Sequence, residues 1–435
     1  MNITRIKIDN LFDTFSYDID FKEKGNLSIL TGPNGYGKTT ILLIINNLYS
    51  NNFYYFQELD FKSIQLYWEK EYSILITKNF PEADPSVDNG FTSQDAKVSF
   101  ILFQQEAEQA RFNFDPSEFV KGLESNSNLR YRNDTWYDRR TDCSYSTNEL
   151  IGINTDILGE IKYSTIDGTF SLFLSSLNSY LIKDQRLSFL KDSRSSSSFY
   201  STRKSEYSIA KDASELADEI KKVQLGALKK AQILDSTFPK RLLECVDSFT
   251  EEEYRNRFKA LLDNQAVLKK YGLSTTSQFE AEYNESSKKT LSVYLKDAEY
   301  KVAEYKELVD KLELFANIVK SKDFTNKDLF IDTEKGFYFK TKKERNLNPE
   351  DLSSGEQHEL ILLYDLLFRA EPDTVVLIDE PEISLHVTWQ QEFIGDLLRI
   401  TKIKNVQLII ATHSPQIVGN HWDLSYDLYE NNLLS

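Results

Sequence analysis

The sequence has little cysteine, little histidine, no long apolar run and no surplus of basic residues, and each shortage excludes something. Cys143 and Cys245 are the two cysteines in 435 residues. Two cannot build a disulfide framework or a cysteine-rich zinc site, so a reducing, cytoplasmic compartment is expected. No stretch approaches about 18 uninterrupted apolar residues, and Met1 to Asp9 carries no signal-peptide core, so neither a membrane span nor export is expected. Lysine and arginine number 52 against 68 acids, a formal net charge of −16. That balance argues against a nucleic-acid coat or a polybasic membrane-surface protein, while leaving room for a local basic face. All four histidines, His358, His386, His413 and His421, fall in the last fifth of the chain.

What is present is a globular composition, 40% hydrophobic and 13% aromatic, in a chain long enough for two or three domains. Ile6 and Ile8 alternate with polar residues as in a strand, Leu27 to Leu30 is a short buried-type strand, and Ile41 to Leu48 starts an apolar helix. Alternation at Ile64, Leu66 and Trp68, then at Tyr72, Ile74 and Ile76, predicts a β-hairpin. Residues 115–150 read as polar and irregular, with Arg130, Arg132, Arg139 and Arg140 near Tyr131, Trp136 and Tyr137. That cluster suits either base or phosphate stacking or a solvated, partner-contacting loop. The run Ser193 to Ser198 reads as an exposed linker.

Two heptad-like runs follow. One joins Ile209 to Ala227. The other joins Leu291 to Val319 in alternating steps of three and four, a helix of about 43 Å if continuous. Both lie in one chain, so an intramolecular hairpin or small bundle is expected ahead of an intermolecular coil. Leu329–Ile331 and Phe337–Phe339 flank a turn with Gly336 where a positive φ is needed. The remainder alternates helix (357–368), strand (374–378), helix (387–400) and strand (406–411), which predicts a mainly parallel sheet.

The chemistry concentrates in a few segments. Gly32-Pro33-Asn34-Gly35-Tyr36-Gly37-Lys38-Thr39-Thr40 fits G-x-x-x-x-G-K-[ST] between a strand and a helix. Glycines there let backbone N–H groups face phosphates, and the helix N-terminus adds positive potential. Lys38 reaches the terminal phosphates, and the Thr39 hydroxyl suits Mg²⁺. Val375 to Ile378 is an apolar strand that delivers Asp379 to the metal and Glu380, next along, as general base for the attacking water.

Leu352-Ser353-Ser354-Gly355-Glu356-Gln357 resembles the signature motif of ABC-type ATPases, with Ser354 where glycine is commoner. The P-loop, signature, acidic strand end and the His413 of Ala411-Thr412-His413-Ser414-Pro415 stand in the order of that family. The resemblance covers the first fifty and last hundred residues. It implies an α/β fold: an ABC-type P-loop ATPase head with a β-rich lobe and an inserted helical or coiled-coil lobe. The expected parts are residues 1–200 and 326–435 for the head and 201–325 for the insertion.

The resemblance also implies ATP and Mg²⁺ as cofactors. Asn34 to Thr40 would hold the nucleotide, and Ser353, Gly355 and Glu356 would meet the γ-phosphate bound by another subunit. His413 would be the γ-phosphate-sensing switch histidine. More than 300 residues separate P-loop from signature, so the chain is similar to the SMC/Rad50/RecF/OLD branch rather than to transporters. Asp379-Glu380-Pro381-Glu382-Ile383-Ser384-Leu385-His386 is similar to OLD-like defence ATPases, with Ser384 to His386 at the D-loop. Ile182 to Leu187 resembles their Gln-Arg-Leu segment and makes Gln185 the Q-loop candidate for Mg²⁺ and water. Phe12 and Phe15 stand where an adenine-stacking aromatic or core residues would fit.

About twenty residues follow His413, without an Asp-x-Asp or HNH signature, so an ATPase-only subunit is expected. The resemblance to the ATPases of the PARIS and, next, Septu anti-phage systems implies three kinds of partner. These are further copies of the chain (a dimer at least, up to a hexamer built from dimers), a separate nuclease effector, Toprim-type ahead of HNH-type, and a phage-encoded trigger. Two other readings stand beside it, a DNA-clamping repair ATPase of RecF/SMC type and an ATP-locked scaffold with little turnover. Contact with DNA is left open. Residues 344–435 hold 16 acids and 5 bases, whereas 203–343 hold 25 acids and 27 bases. An anionic partner is therefore expected on the insertion.

Overall fold

The alternation of Ile6 and Ile8 with polar neighbours becomes an edge-to-core pattern in β1 (Ile3–Leu11), whose Ile3, Ile6, Ile8 and Leu11 are all buried. The computed structural model describes residues 1–79, 97–124, 129–132, 135–139, 143–145, 147, 150, 166–182, 188–190, 205–245, 248–274, 283–322, 324, 326–383 and 385–433. The chain divides into two compact units. The first holds Met1–Gln185, Asp192–Phe199 and Ala370–Ser435, and the second holds Arg186–Lys191 and Tyr200–Arg369. The hairpin at 327–341 and the signature helix thus fold in the same unit as the helical insertion.

In the first unit, β1 pairs with β2 (Phe15–Asp20). The chain then forms β3 (Leu27–Thr31) and helix α1 (Lys38–Tyr49), and returns as β4 (Ser63–Trp68), β5 (Tyr72–Asn79), β6 (Lys97–Gln104) and β7 (Ala107–Phe114). The sheet runs β2-β1-β4-β5-β6-β7, antiparallel throughout, and contains the expected hairpin with Leu66 opposite Ile74. Its aromatic core centres on Phe53, Phe56, Phe100 and Phe112.

The described residues of the segment read as irregular include regular elements. A helix spans Pro116–Glu124, and β8 (Leu129–Arg132), β9 (Thr135–Asp138) and β10 (Cys143–Tyr145) form a small antiparallel sheet. Strand alternation explains the arginine–aromatic cluster. Leu129 and Trp136 are buried, with the Trp136 indole donating to Thr147 Oγ1, while Arg130, Arg132 and Tyr137 lie on the exposed side. Trp136 is a core residue rather than a stacking platform. Arg140 and Ser193–Ser198 lie outside the described residues.

β11 (Ser179–Ile182) is the last strand of the first unit before the chain enters the second. The helical insertion in the second unit comprises α2 (Ser208–Glu244), α3 (Glu251–Lys270), α4 (Lys288–Ala303) and α5 (Lys306–Ser321). The expected bundle is present: Leu291, Leu295 and Ala298 of α4 pack on Tyr254, Phe258 and Leu261 of α3. Arg241 and Lys230 of α2 pair with Asp297 and Glu304. The single 43 Å helix is not formed. At Tyr305 the backbone N–H bonds Val302 rather than residue 301, which ends α4 and starts α5 after a two-residue turn. The turn stays close to helical dihedrals, so the apolar phase continues across it.

β12 (Lys327–Asp332), β13 (Gly336–Thr341) and β14 (Asn346–Leu347) form an antiparallel sheet. Gly336 has φ +71, and a Cβ there would lie 1.8 Å from the Ala213 carbonyl oxygen of α2. Only glycine allows that approach. α6 (Ser354–Tyr364) follows and runs into a wider π turn, Asp365–Arg369.

The chain completes the first unit with β15 (Val375–Asp379), α7 (Val387–Ile403), β16 (Gln407–Ala411) and β17 (Ser425–Asp427). The sheet β11-β15-β16-β3-β17 is wholly parallel. β3 and β16 are buried throughout, which is why they read as largely apolar runs. Among the described residues no helix is long and apolar enough to cross a membrane.

Candidate functional site

Ligands of open parallel sheets bind beyond the carboxyl ends of the strands. Here β3, β15 and β16 deliver Gly32, Asp379 and Ala411 to one edge, with Asp379 in register with Ala411. The loop after β3 uses positive φ at Gly32 (+142), Gly35 (+88) and Gly37 (+81). A side chain at Gly35 would meet no atom but would strain the backbone. Tyr36 is held from three sides. Its ring lies 5.2 Å from Phe15 and 5.6 Å from Tyr429, and its carbonyl accepts from the Tyr17 hydroxyl at 2.9 Å. Phe15 therefore packs on the loop, whereas Phe12 is exposed.

α1 begins at Lys38 with Gly37 as a left-handed cap that offers no side-chain acceptor. The first N–H groups of this helix are free to meet an anion. Lys38 is buried, and its ammonium donates to the carbonyls of Gly32 (2.8 Å) and Pro33 (3.0 Å). Burial pushes it below the ordinary lysine value, against the opposing pull of Glu380, Glu382, Asp379 and Asp427. A polyanion in the loop would restore the lost solvation. The Thr39 hydroxyl donates to Asp379 Oδ1 at 3.1 Å, which joins the two expected metal ligands across 340 residues of sequence.

Among the described residues no group of three or more His, Cys, Asp or Glu could hold a metal ion. A hydroxyl and one carboxylate are nevertheless the donor set that suits Mg²⁺, which keeps several waters and takes its other ligands from phosphates. The loop and its donors fit a magnesium-bound triphosphate.

Glu380 follows β15 with φ +43, an uncommon conformation for a side chain of this size, and its N–H donates to Ala411 at 2.9 Å. His413 follows β16. Its Nδ1 lies 3.6 Å from Glu380 and 3.1 Å from Glu382. Glu382 is the residue that sequence reasoning passed over. Its buried carboxylate accepts from the Thr412 hydroxyl (2.7 Å) and the His413 N–H (3.0 Å). The second acid of Glu-Pro-Glu was the available signal. A cavity of about 440 Å³ opens between the loop and the segments that follow β16, lined by Gly32, Asn34, His413, Ser414, Trp422 and Asp427 among others. Asn34 and Thr40 lie on the exposed and half-buried sides of the loop and helix.

The signature residues lie in the second unit. Ser353 caps α6 in a reciprocal capping box: its hydroxyl accepts from the Glu356 N–H, and the Glu356 carboxylate accepts from the Ser353 N–H at 2.8 Å. Both Glu356 oxygens also meet Lys327 at 2.7 Å. Burial would raise the Glu356 carboxyl, but Lys327 and Ser353 outweigh it and hold it below the usual range. Its side chain and the Ser353 hydroxyl are thus both engaged in building the helix start, where Ser353 and Ser354 are exposed and Gly355 is half-buried. His358 is buried and bonds the Ser354 carbonyl, and His386 caps α7. Gln185 and Ser384 lie outside the described residues.

The model of a family described as AAA ATPase domain, AAA_15, matches residues 1–418. Among curated relatives, the chain is similar to the Retron Ec83 probable ATPase of Escherichia coli, 38% identical over 87 residues (18% of this chain, 16% of that protein). It is also similar to Endonuclease GajA of Bacillus cereus (strain HuB5-5), 24% identical over 412 residues (90% of this chain, 52% of that protein). The chain thus spans about half or less of these relatives. Among solved structures it is similar to the SMC head domain from Thermotoga maritima, at 10% identity and a TM-score of 0.33 over 96% of this chain and 91% of that one.

Proposed function

The chain belongs to the AAA_15 family of ATPase domains, and from that premise we propose that it binds magnesium-ATP at Gly32–Thr40 and hydrolyses it. One observation carries the reading. Three strand ends of one parallel sheet bring a buried lysine, a hydroxyl–carboxylate pair, a second acid and a histidine to the same edge of the first unit.

Residue roles follow from chemistry. The N–H groups of the loop and Lys38 bind and orient the phosphates, and Thr39 with Asp379 holds the metal. When bound, Mg²⁺ neutralises charge that grows on the phosphate oxygens. Glu380 orients a water and takes its proton. His413 faces the terminal phosphate. Ser353 and Gly355 complete the site from a second copy, so that ATP joins two chains head to tail.

The resemblance to anti-phage ATPases supports a cellular reading, as do relatives named a retron ATPase and an endonuclease. In this reading the chain is the ATPase subunit of a defence complex of the PARIS kind. It assembles with ATP, senses a phage protein, and holds or releases a separate nuclease, Toprim-type ahead of HNH-type.

Glu380→Gln tests the enzymatic core. The variant binds ATP, loses phosphate release and accumulates as the ATP-bound assembly in native mass spectrometry. Undiminished phosphate release overturns the assignment. Recovery of a nuclease with the native protein tests the complex.

A further inference from the structure

Glu382 carries more than the sequence pattern suggests. It is 9% exposed and lies in the turn that follows β15, whereas the donors it serves follow β16. Two hydrogen bonds reach one oxygen, Oε1, from the Thr412 hydroxyl at 2.7 Å and the His413 N–H at 3.0 Å, and the His413 ring Nδ1 lies in ion-pair contact 3.1 Å from the same oxygen. Its other oxygen, Oε2, is buried without a hydrogen-bond partner among the described residues.

An ionised carboxylate only accepts. A bare Nδ1 lone pair 3.1 Å from that oxygen would be repelled, so the contact favours the hydrogen on Nδ1 and leaves Nε2 as the ring nitrogen free to act. Glu380 competes for the same nitrogen but stands at 3.6 Å, beyond hydrogen-bond range. Glu382, which also accepts from the His413 N–H, is thus the acid nearer the histidine.

We propose that Glu382 is the positioning residue of His413. It fixes the ring with Nδ1–H turned inward, presents Nε2 to the bound phosphate, and keeps Glu380 uncoupled from the histidine so that Glu380 can serve the attacking water. Carboxylates that orient an imidazole through its second nitrogen do so in metal and acid–base sites, and removing one costs about 10–100-fold in function. The inference rests on reading His413 as the residue that faces the terminal phosphate.

The chain has only four histidines, so its imidazole nitrogens can be followed individually. Protein labelled with ¹⁵N-histidine is recorded without nucleotide, and His413→Ala identifies the signal. The neutral His413 ring is expected as the Nδ1–H form in the native protein and in Glu382→Gln, whose amide oxygen can take the same hydrogen. In Glu382→Ala it reverts to the Nε2–H form. In the ATPase assay, Glu382→Ala and His413→Ala each lower turnover on the order of 10–100-fold. The double variant loses no more than either, and Glu382→Gln retains more than Glu382→Ala.

A native His413 in the Nε2–H form, or additive losses in the double variant, overturns the proposal. If Glu382→Ala does not fold, the native and Glu382→Gln spectra decide it. A native chain with the Nδ1–H form but no ATP turnover would refute the functional reading and leave the positioning intact.

Discussion

Removing Arg369 should destabilise the helical unit in a strongly pH-dependent way. Its guanidinium meets Asp212 at 2.5 Å, Asp365 at 2.6 Å and Glu215 at 2.7 Å, and so ties α2 to the turn that ends α6. Glu215 is 37% exposed at its side chain and contributes little, because solvent screens it. Asp212 and Asp365, at 0% and 10%, decide the magnitude. Arg369→Met would keep the aliphatic packing and leave two buried carboxylates without their cation, a loss of about 3–5 kcal/mol. For a unit of this size that corresponds to a fall of about 6–20 °C in melting temperature.

The pH dependence has a definite sign. Burial pushes the Asp212 carboxyl up to about 7 even with Arg369 in place. A carboxyl whose folded value exceeds its unfolded value of about 4 withdraws stability as pH rises through that window. The native protein should therefore melt lower at pH 8 than at pH 5, and Asp212→Asn should flatten that slope. In Arg369→Met the deficit should be widest at pH 8 and narrowest near pH 5. Far-ultraviolet circular dichroism follows the helices of the second unit, whereas Trp68, Trp136, Trp389 and Trp422 all report from the first. A shift below about 2 °C, or a deficit that grows on acidification, would refute the reasoning.

Other outcomes follow from the same geometry. Lys38→Ala should abolish binding of a fluorescent ATP analogue, since it removes the buried ammonium from the loop; retained tight binding would sink the assignment. Gly336→Ala should cost roughly 2–5 kcal/mol, from about 1–2 for the left-handed backbone and about 1–3 for the overlap with Ala213. Denaturant titration measures it, and a loss under about 1 kcal/mol would contradict the close approach. Ser353→Arg in the Glu380→Gln background should leave ATP binding intact and remove the ATP-dependent assembly in native mass spectrometry. Persistence of that assembly would exclude a signature contact in trans.

Much of the candidate site was legible because its parts are contiguous. The P-loop states its own backbone requirement in Gly35 and Gly37, and both have positive φ. Val375 to Asp379 announces a buried parallel strand that ends in an acid, and Leu408 to Ala411 announces a second buried strand before His413. The Thr39–Asp379 bond followed once both strands were placed in one sheet. Legibility failed where alternation was diluted by polar residues, as in 115–150, whose strands are only three or four residues long. It also failed where a heptad phase persisted through a turn, at Glu304 and Tyr305.

By itself the sequence determined the local chemistry: a phosphate-binding loop, an acidic strand end, a capped signature helix and an amphipathic insertion. Each is encoded in residues a few positions apart, whose backbone preferences and periodicity act without reference to the rest of the chain. Only the tertiary structure decided which distant groups meet. It set Glu382 rather than Glu380 on His413, gathered Asp212, Glu215 and Asp365 around Arg369, pressed Gly336 against Ala213, and closed Phe15 and Tyr429 on Tyr36. These contacts depend on strand order and on how buried surfaces fit, which no short window of residues contains.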